Sequence, residues 1–243
     1  TSDYAMITGH VVTGYSTNPN PAVTNLKVVG SAAGSPGAFN TRDVQFVWDA
    51  SPVGILFDTY IVEIRDATTN ALRRTIQTKN PSALYTFADN SVDGLARTFK
   101  VSVQVRTRLN NLSTATVLTA TNAAPALPTV ETLTGDFRTI TFRWRQSTVE
   151  EDFEGLRVWM SETAGFTPAP ANRVYWGPDG LIVIPAAPGK TYRLRWAAYD
   201  AFAALDGGVH TGLNLSGEQA VTTVRISHAD LLNDISATNL LPA

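Results

Sequence analysis

The chain has 243 residues, a formal net charge of −2 and no cysteine. That length admits two ordinary domains. The charge excludes the strongly basic surface that nucleic acid or an anionic membrane selects, and the lack of cysteine excludes a disulfide framework while leaving the redox compartment open. Charged residues make up 16% of the chain, against 17 Gly and 13 Pro, a balance that suits turn-rich β domains. No run approaches the roughly 18 apolar residues of a membrane span, so no membrane-spanning segment is expected. Neither a basic-then-apolar leader nor an initiating Met opens the chain, and it reads as a slice of a longer polypeptide.

In chain order, residues 1–20 carry Ile7, Val11, Val12 and Tyr15 and are expected to be the last strand of a preceding domain, or an arm from it. From 21 to 122 the alternation has period two: Val44, Phe46 and Trp48 share one face, then Tyr60, Val62 and Ile64, then Phe99, Val101, Val103 and Val105. Such runs specify strands with one buried and one wet face. Gly30 to Gly37 is small and flexible, and reads as a surface loop. Ser51 to Phe57 is apolar for a loop, which makes Ile55, Leu56 and Phe57 candidate interface residues. Asp66 to Asn70 and Asp89 to Gly94 read as turns. The junction Asn122 to Pro128 holds two prolines and favours extended backbone, so an end-to-end arrangement of limited freedom is expected.

The second stretch, 123–225, repeats the first. Arg138 to Arg145 answers Arg42 to Asp49, and Trp48 and Trp144 stand 96 residues apart, 144 minus 48. Gly155 to Met160 answers Thr59 to Ile64 at the same offset, and Lys190 to Trp196, with Tyr192, answers Arg97 to Val103, with Phe99. Repetition at this period means two copies of one domain of roughly 100 residues. Seven short strands per copy, separated by turns, specify an all-β fold of two tandem immunoglobulin-like β-sandwiches. Trp48, Trp144, Phe99 and Tyr192 are the expected core markers. The loop Ala201 to Leu205 supplies two further candidate interface residues, Phe202 and Leu205. Residues 226–243 differ: Ser227 as N-cap, Asp230, and Leu231, Leu232 and Ile235 at helical spacing predict a short helix leading to the next section.

Residues able to carry chemistry are few. His10, His210 and His228 lack metal-ligand spacing. Glu150, Glu151, Asp152 and Glu154 lack the alternating oxygens of a calcium loop and read as a solvated cluster. Asn111-Leu112-Ser113 and Asn214-Leu215-Ser216 match the N-glycosylation pattern, yet they occupy corresponding places in the two copies, so shared ancestry accounts for them. No catalytic, cofactor-binding or metal-binding residue is assigned, and no cofactor is expected.

The Trp of the second strand and the aromatic of the sixth, together with Tyr60-Ile61-Val62 and Leu156-Arg157-Val158, resemble the fibronectin type III domain over about 22–224. Phe99 departs from the family's usual Tyr, so the first copy lacks that hydroxyl bond. With Gly14-Tyr15-Ser16-Thr17-Asn18-Pro19 before the pair and Ile226 to Ile235 after it, the chain resembles the host-specificity proteins of tailed bacteriophages, the central tail-tip or J-like hub proteins. That resemblance implies a non-enzymatic module of a homotrimeric tail tip on the virion. Its partners would be the other domains of the parent chain and a bacterial surface receptor. The alternatives are an accessory spacer of a secreted bacterial polysaccharide-degrading enzyme and a cell-surface adhesin.

Overall fold

Fifteen β-strands, one short α-helix and two single 3-10 turns form the computed structural model, which describes residues 20–146, 150–203 and 212–225. The expectations for the segment 1–19, the three histidines, Leu205 and the C-terminal helix fall outside these residues. By contact the chain divides into two compact units. Asn40–Arg42 and Phe87–Arg97 lie within the first sequence copy but group with the second unit, alongside the residues from Asn122 onward.

The first unit has two sheets. Strands β1 (Lys27–Val28), β3 (Val44–Val47) and β6 (Ser82–Tyr85) form one, in the order β1-β3-β6. The other runs β2-β8-β7-β4-β5, from β2 (Ala38–Phe39), β4 (Phe57–Asp66), β5 (Leu72–Thr78), β7 (Thr98–Thr107) and β8 (Thr116–Asn122). Period-two alternation sends Val62, Ile64, Val101 and Val103 inward, where all four are fully buried. Phe99 is 1% exposed and packs against Phe39, Phe46 and Tyr85, while Trp48 meets Tyr60 edge-on at 5.2 Å.

Eight strands rather than seven result because the Gly30–Gly37 surplus is not simply a loop. Turn bonds such as Val28 N–H to Pro36 O at 2.7 Å fold it back, and β2 then joins the opposite sheet from β1. Gly37 is required there, since a Cβ would stand 1.9 Å from the Thr119 carbonyl oxygen. The turn expected at Asp89–Gly94 is instead largely helix α1 (Phe87–Val92). Buried Asn90 closes that connection, accepting from Ala96 N–H at 2.8 Å and donating to Ala96 O at 2.9 Å.

The second unit pairs a three-stranded sheet, β13-β10-β9, with a four-stranded one, β12-β11-β14-β15. These are β9 (Thr129–Gly135), β10 (Thr139–Arg145), β11 (Phe153–Ser161), β12 (Arg173–Gly177), β13 (Leu181–Pro185), β14 (Thr191–Asp200) and β15 (Gln219–Thr222). Three strands facing four, with the central crossings by β10, β11 and β14, is the fibronectin type III arrangement. Trp144 lies in the core beside Phe142, Val158, Leu194 and Trp196, and donates to Asp179 O at 2.8 Å. Tyr192 is 7% exposed, and its hydroxyl accepts from Ala187 N–H at 2.8 Å, the bond that Phe99 cannot make.

One expectation fails in the second unit: the outer face of the four-stranded sheet is not wet. Trp159 and Ala197 are fully buried on that side under Phe166, Leu213 and Leu215. The strand sequences carry the reason. Val158-Trp159-Met160 and Trp196-Ala197-Ala198-Tyr199 are continuous apolar runs, the signature of strands covered on both faces.

Candidate functional site

The outer face of this sheet also carries a stack of arginine and aromatic side chains. Arg157 on β11 lies opposite Trp176 on β12 and Ala197 on β14, which sets Tyr199 diagonal to it. Its guanidinium is 4.5 Å from the Trp176 ring centroid and 5.1 Å from that of Tyr199, and the residue is 1% exposed. A register shift in β12 makes Val174 an extra residue, and Arg173 is thereby turned back to the same ring, at 4.4 Å. Trp176 itself is 50% exposed and meets Tyr199 edge-on at 5.8 Å. Cation–π attraction strengthens when the cation is desolvated, as Arg157 is here.

Beside the stack lies a recess of about 230 Å³ lined by Glu154, Arg157, Trp176, Tyr199, Asp200, Ala201 and Ala203. A second register shift, between Phe153 and Gly155, makes Glu154 a bulge residue at its rim. Gly155 is required beside it, with φ +154 and no room for a Cβ against Gly177 O. Glu154 engages Arg42 through Oε1 at 2.8 Å. Burial holds the Tyr199 phenol above its ordinary range; Glu154 acts in the same sense, the Trp176 hydrogen bond and the Arg157 charge against it. The hydroxyl therefore keeps its proton at neutral pH.

Under the recess sits a polar network that the sequence did not reveal. Asp200, 1% exposed, takes both Arg97 guanidinium nitrogens and also accepts from Phe202 N–H at 2.9 Å. Asn122 accepts from Arg97 and donates to Asp152 at 2.6 Å. Asp152 is 2% exposed, so the acidic cluster is not simply a solvated face. Burial raises the Asp152 carboxyl above its ordinary range, and the nearby Asp200 adds to this, while the Asn122 hydrogen bond opposes it.

The candidate interface residues have different fates. Ile55 is 86% and Leu56 45% exposed, on a single 3-10 turn (Gly54–Leu56). Arg108 N–H donates to Leu56 O at 2.9 Å, bringing in the next turn of the first unit with its exposed Leu109 and Leu112. Phe57 departs from that pair, since it opens β4 and packs on Tyr60 at 4.8 Å. Phe202 is fully buried in the second unit against Phe87 at 5.1 Å, with the Arg97 guanidinium 5.6 Å from its ring. It therefore offers no free apolar tip.

The two N-x-S sequences have a common structural use. Ser113 Oγ accepts from Val105 N–H and Ser216 Oγ from Trp196 N–H, each at 2.9 Å, and both serines are buried. Asn214 spends its amide on Ala124 O and Pro125 O. Among the described residues no group of three or more His, Asp or Glu is arranged to hold a metal ion, and no helix is long and apolar enough to cross a membrane.

No family model matches the chain, and no curated protein does. Among solved structures it is similar to the FN1–FN3 domains of chicken CNTN1, at 17% identity and a TM-score of 0.34, covering 85% of this chain and 68% of that one. It is similar also to a segment of two fibronectin type III domains from chicken tenascin, at 16% identity and a TM-score of 0.37, covering 82% and 96%.

Proposed function

We propose that this chain is a non-enzymatic spacing and binding module of a phage tail-tip host-specificity protein, which works by positioning and contact within a homotrimer. The observation that carries the reading is the exposed apolar pole of the first unit, Ile55 and Leu56 beside Leu109 and Leu112. Apolar side chains gathered at a loop tip mark an interaction site, and here a neighbouring part of the parent chain is the favoured partner, with a bacterial receptor second. The buried acidic groups add support, because Asp200 is neutralised by Arg97 and Asp152 is held by Asn122, an arrangement that builds structure rather than poising an acid and a base. The flanking Gly14–Pro19 and Ile226–Ile235 motifs supply the tail-tip part of the reading.

A map of the intact virion tests it. Density for this segment at the tail tip is the expected result. Density elsewhere, or hydrolysis of a cell-wall glycan by the purified chain, overturns it, and recovery of the segment beside a catalytic domain in a secreted enzyme replaces it with the accessory-spacer reading.

A further inference from the structure

Strand β13 stands at an edge of its sheet, in the order β13-β10-β9, and among the described residues no further strand pairs with it. Its sequence, Leu181-Ile182-Val183-Ile184-Pro185, carries no charge and is rich in β-branched residues. Register decides what this edge offers. Trp144 N–H donates to Gly180 O and Ala186 N–H to Arg138 O, each at 2.9 Å, and these two bonds flank the pairing with β10. Bonded and non-bonded pairs alternate along an antiparallel ladder, so Ile182 and Ile184 turn their backbone groups toward β10. Leu181 and Val183 turn theirs to the open edge, and these residues are 56% and 57% exposed. An apolar edge of this kind is a template for pairing with another chain.

Both ends of the edge are closed. Asp179 donates its N–H to the Tyr175 hydroxyl at 2.7 Å, and its carbonyl accepts from the Trp144 indole at 2.8 Å. Pro185 has no N–H to give. Two residues with free donors and acceptors, bounded on each side, match a partner of the same length with the same bounds. We propose that β13 pairs antiparallel with β13 of a second copy of this chain, about a two-fold axis at Ile182. In that register Leu181 exchanges both backbone bonds with Val183 of the other copy, and Val183 does so with its Leu181. Every free backbone group of these two residues is used. Pro185 falls opposite Asp179 of the other copy, so neither end needs a bond that the other lacks. A longer foreign strand would run past both ends and meet the proline and the occupied Asp179. Leu181 and Val183 also face each other across the axis as an apolar pair, and no charge on β13 repels its counterpart. The strand supplies 5 residues a side, against the roughly 20–30 of a stable interface, so the isolated chain should pair with a dissociation constant on the order of 0.1–1 mM. A two-fold pairing is not the contact that closes a trimer, so this proposal holds or fails separately from the tail-tip reading.

The test is sedimentation equilibrium of the whole 243-residue chain from micromolar to millimolar concentration. The weight-average mass is expected to rise from that of one chain toward that of two. In a mixture of isotope-labelled and unlabelled copies, filtered nuclear Overhauser contacts should join the Leu181 methyls to the Val183 methyls of the other copy. Leu181→Lys changes an exposed side chain, and Val183→Pro removes an N–H that the ladder to β10 does not use. Each should weaken the association about tenfold or more. Leu84→Lys, on the corresponding edge strand β6 of the first unit, should leave it unchanged. A chain that stays monomeric at millimolar concentration, or association that Leu181→Lys leaves intact, overturns the proposal. So does association lost in Leu84→Lys, or a filtered contact from Leu181 to any strand other than β13, whatever the fate of the Val183 variant.

Discussion

Arg97 grips Asp200 with two prongs, Nη1 to Oδ2 and Nη2 to Oδ1, both at 2.7 Å, and no solvent reaches the Asp200 side chain. Bidentate geometry and the further bond from Phe202 N–H satisfy a carboxylate that would otherwise carry a large desolvation cost.

Removing one partner of such a pair strands the other. Arg97→Ala is expected to destabilise the second unit by about 3–5 kcal/mol. Arg97→Lys keeps the charge but loses the fork, and should fall between the variant and the parent. Urea unfolding of the whole chain, followed by near-ultraviolet circular dichroism, checks both.

The two tryptophans offer a paired comparison. Each is 5% exposed, so Trp48→Ala and Trp144→Ala should each cost about 3–5 kcal/mol. Trp→Phe separates packing from hydrogen bonding. Trp144 donates to Asp179 O, whereas the Trp48 indole nitrogen has no protein partner among the described residues. Trp144→Phe should therefore cost about 1 kcal/mol more than Trp48→Phe, read from the denaturation midpoints of the two transitions.

The corresponding corners of the two copies are closed differently, and the difference is measurable. Tyr192→Phe removes the acceptor for Ala187 N–H and should cost about 1 kcal/mol. Asn90→Ala strands both backbone groups of Ala96 and should cost about 1–3 kcal/mol. A loss for Asn90→Ala smaller than that for Tyr192→Phe would contradict the assignment.

Two carboxyls should impose opposite pH dependences. The Asp152 carboxyl is raised above its ordinary 3.8, so the native state holds that proton to a higher pH than the unfolded chain does. Stability falls as pH rises from 3.8 through the raised native value, and the penalty is complete above it. Asp66 behaves in the reverse sense: the Thr69 backbone N–H, then Arg73 and Thr68, lower its carboxyl well below the usual range. Its contribution is full above 3.8 and is lost as pH falls below that. Asp152→Asn should therefore raise the urea midpoint more at about pH 7 than near pH 3.5, and Asp66→Asn should flatten the acid-side loss.

The strand register was legible from the sequence because alternation is local. Val62 and Val103 face each other in the first unit, and Val158 and Trp196 do so in the second, where period two had placed them on inward faces. The exposed Ile55 and Leu56 were legible for a related reason, being apolar residues in a turn-rich segment with no strand to bury them. The buried recess floor was not. Asp152 reads as one member of an acidic cluster until Asn122, 30 residues away, is brought against it.

Local patterning by itself therefore determined the long strands, their inward faces, the repeat and the two-sandwich architecture, though not the two-residue β2 or helix α1, because period two and turn chemistry act over a few residues. Tertiary structure alone decided that Phe166, Leu213 and Leu215 are what cover the outer face at Trp159 and Ala197, that Phe202 is spent on Phe87, and that Glu154, Arg157, Trp176 and Tyr199 converge on one recess. Burial and convergence depend on residues far apart in the chain and on bulges that turn single side chains. No spacing within one strand specifies them.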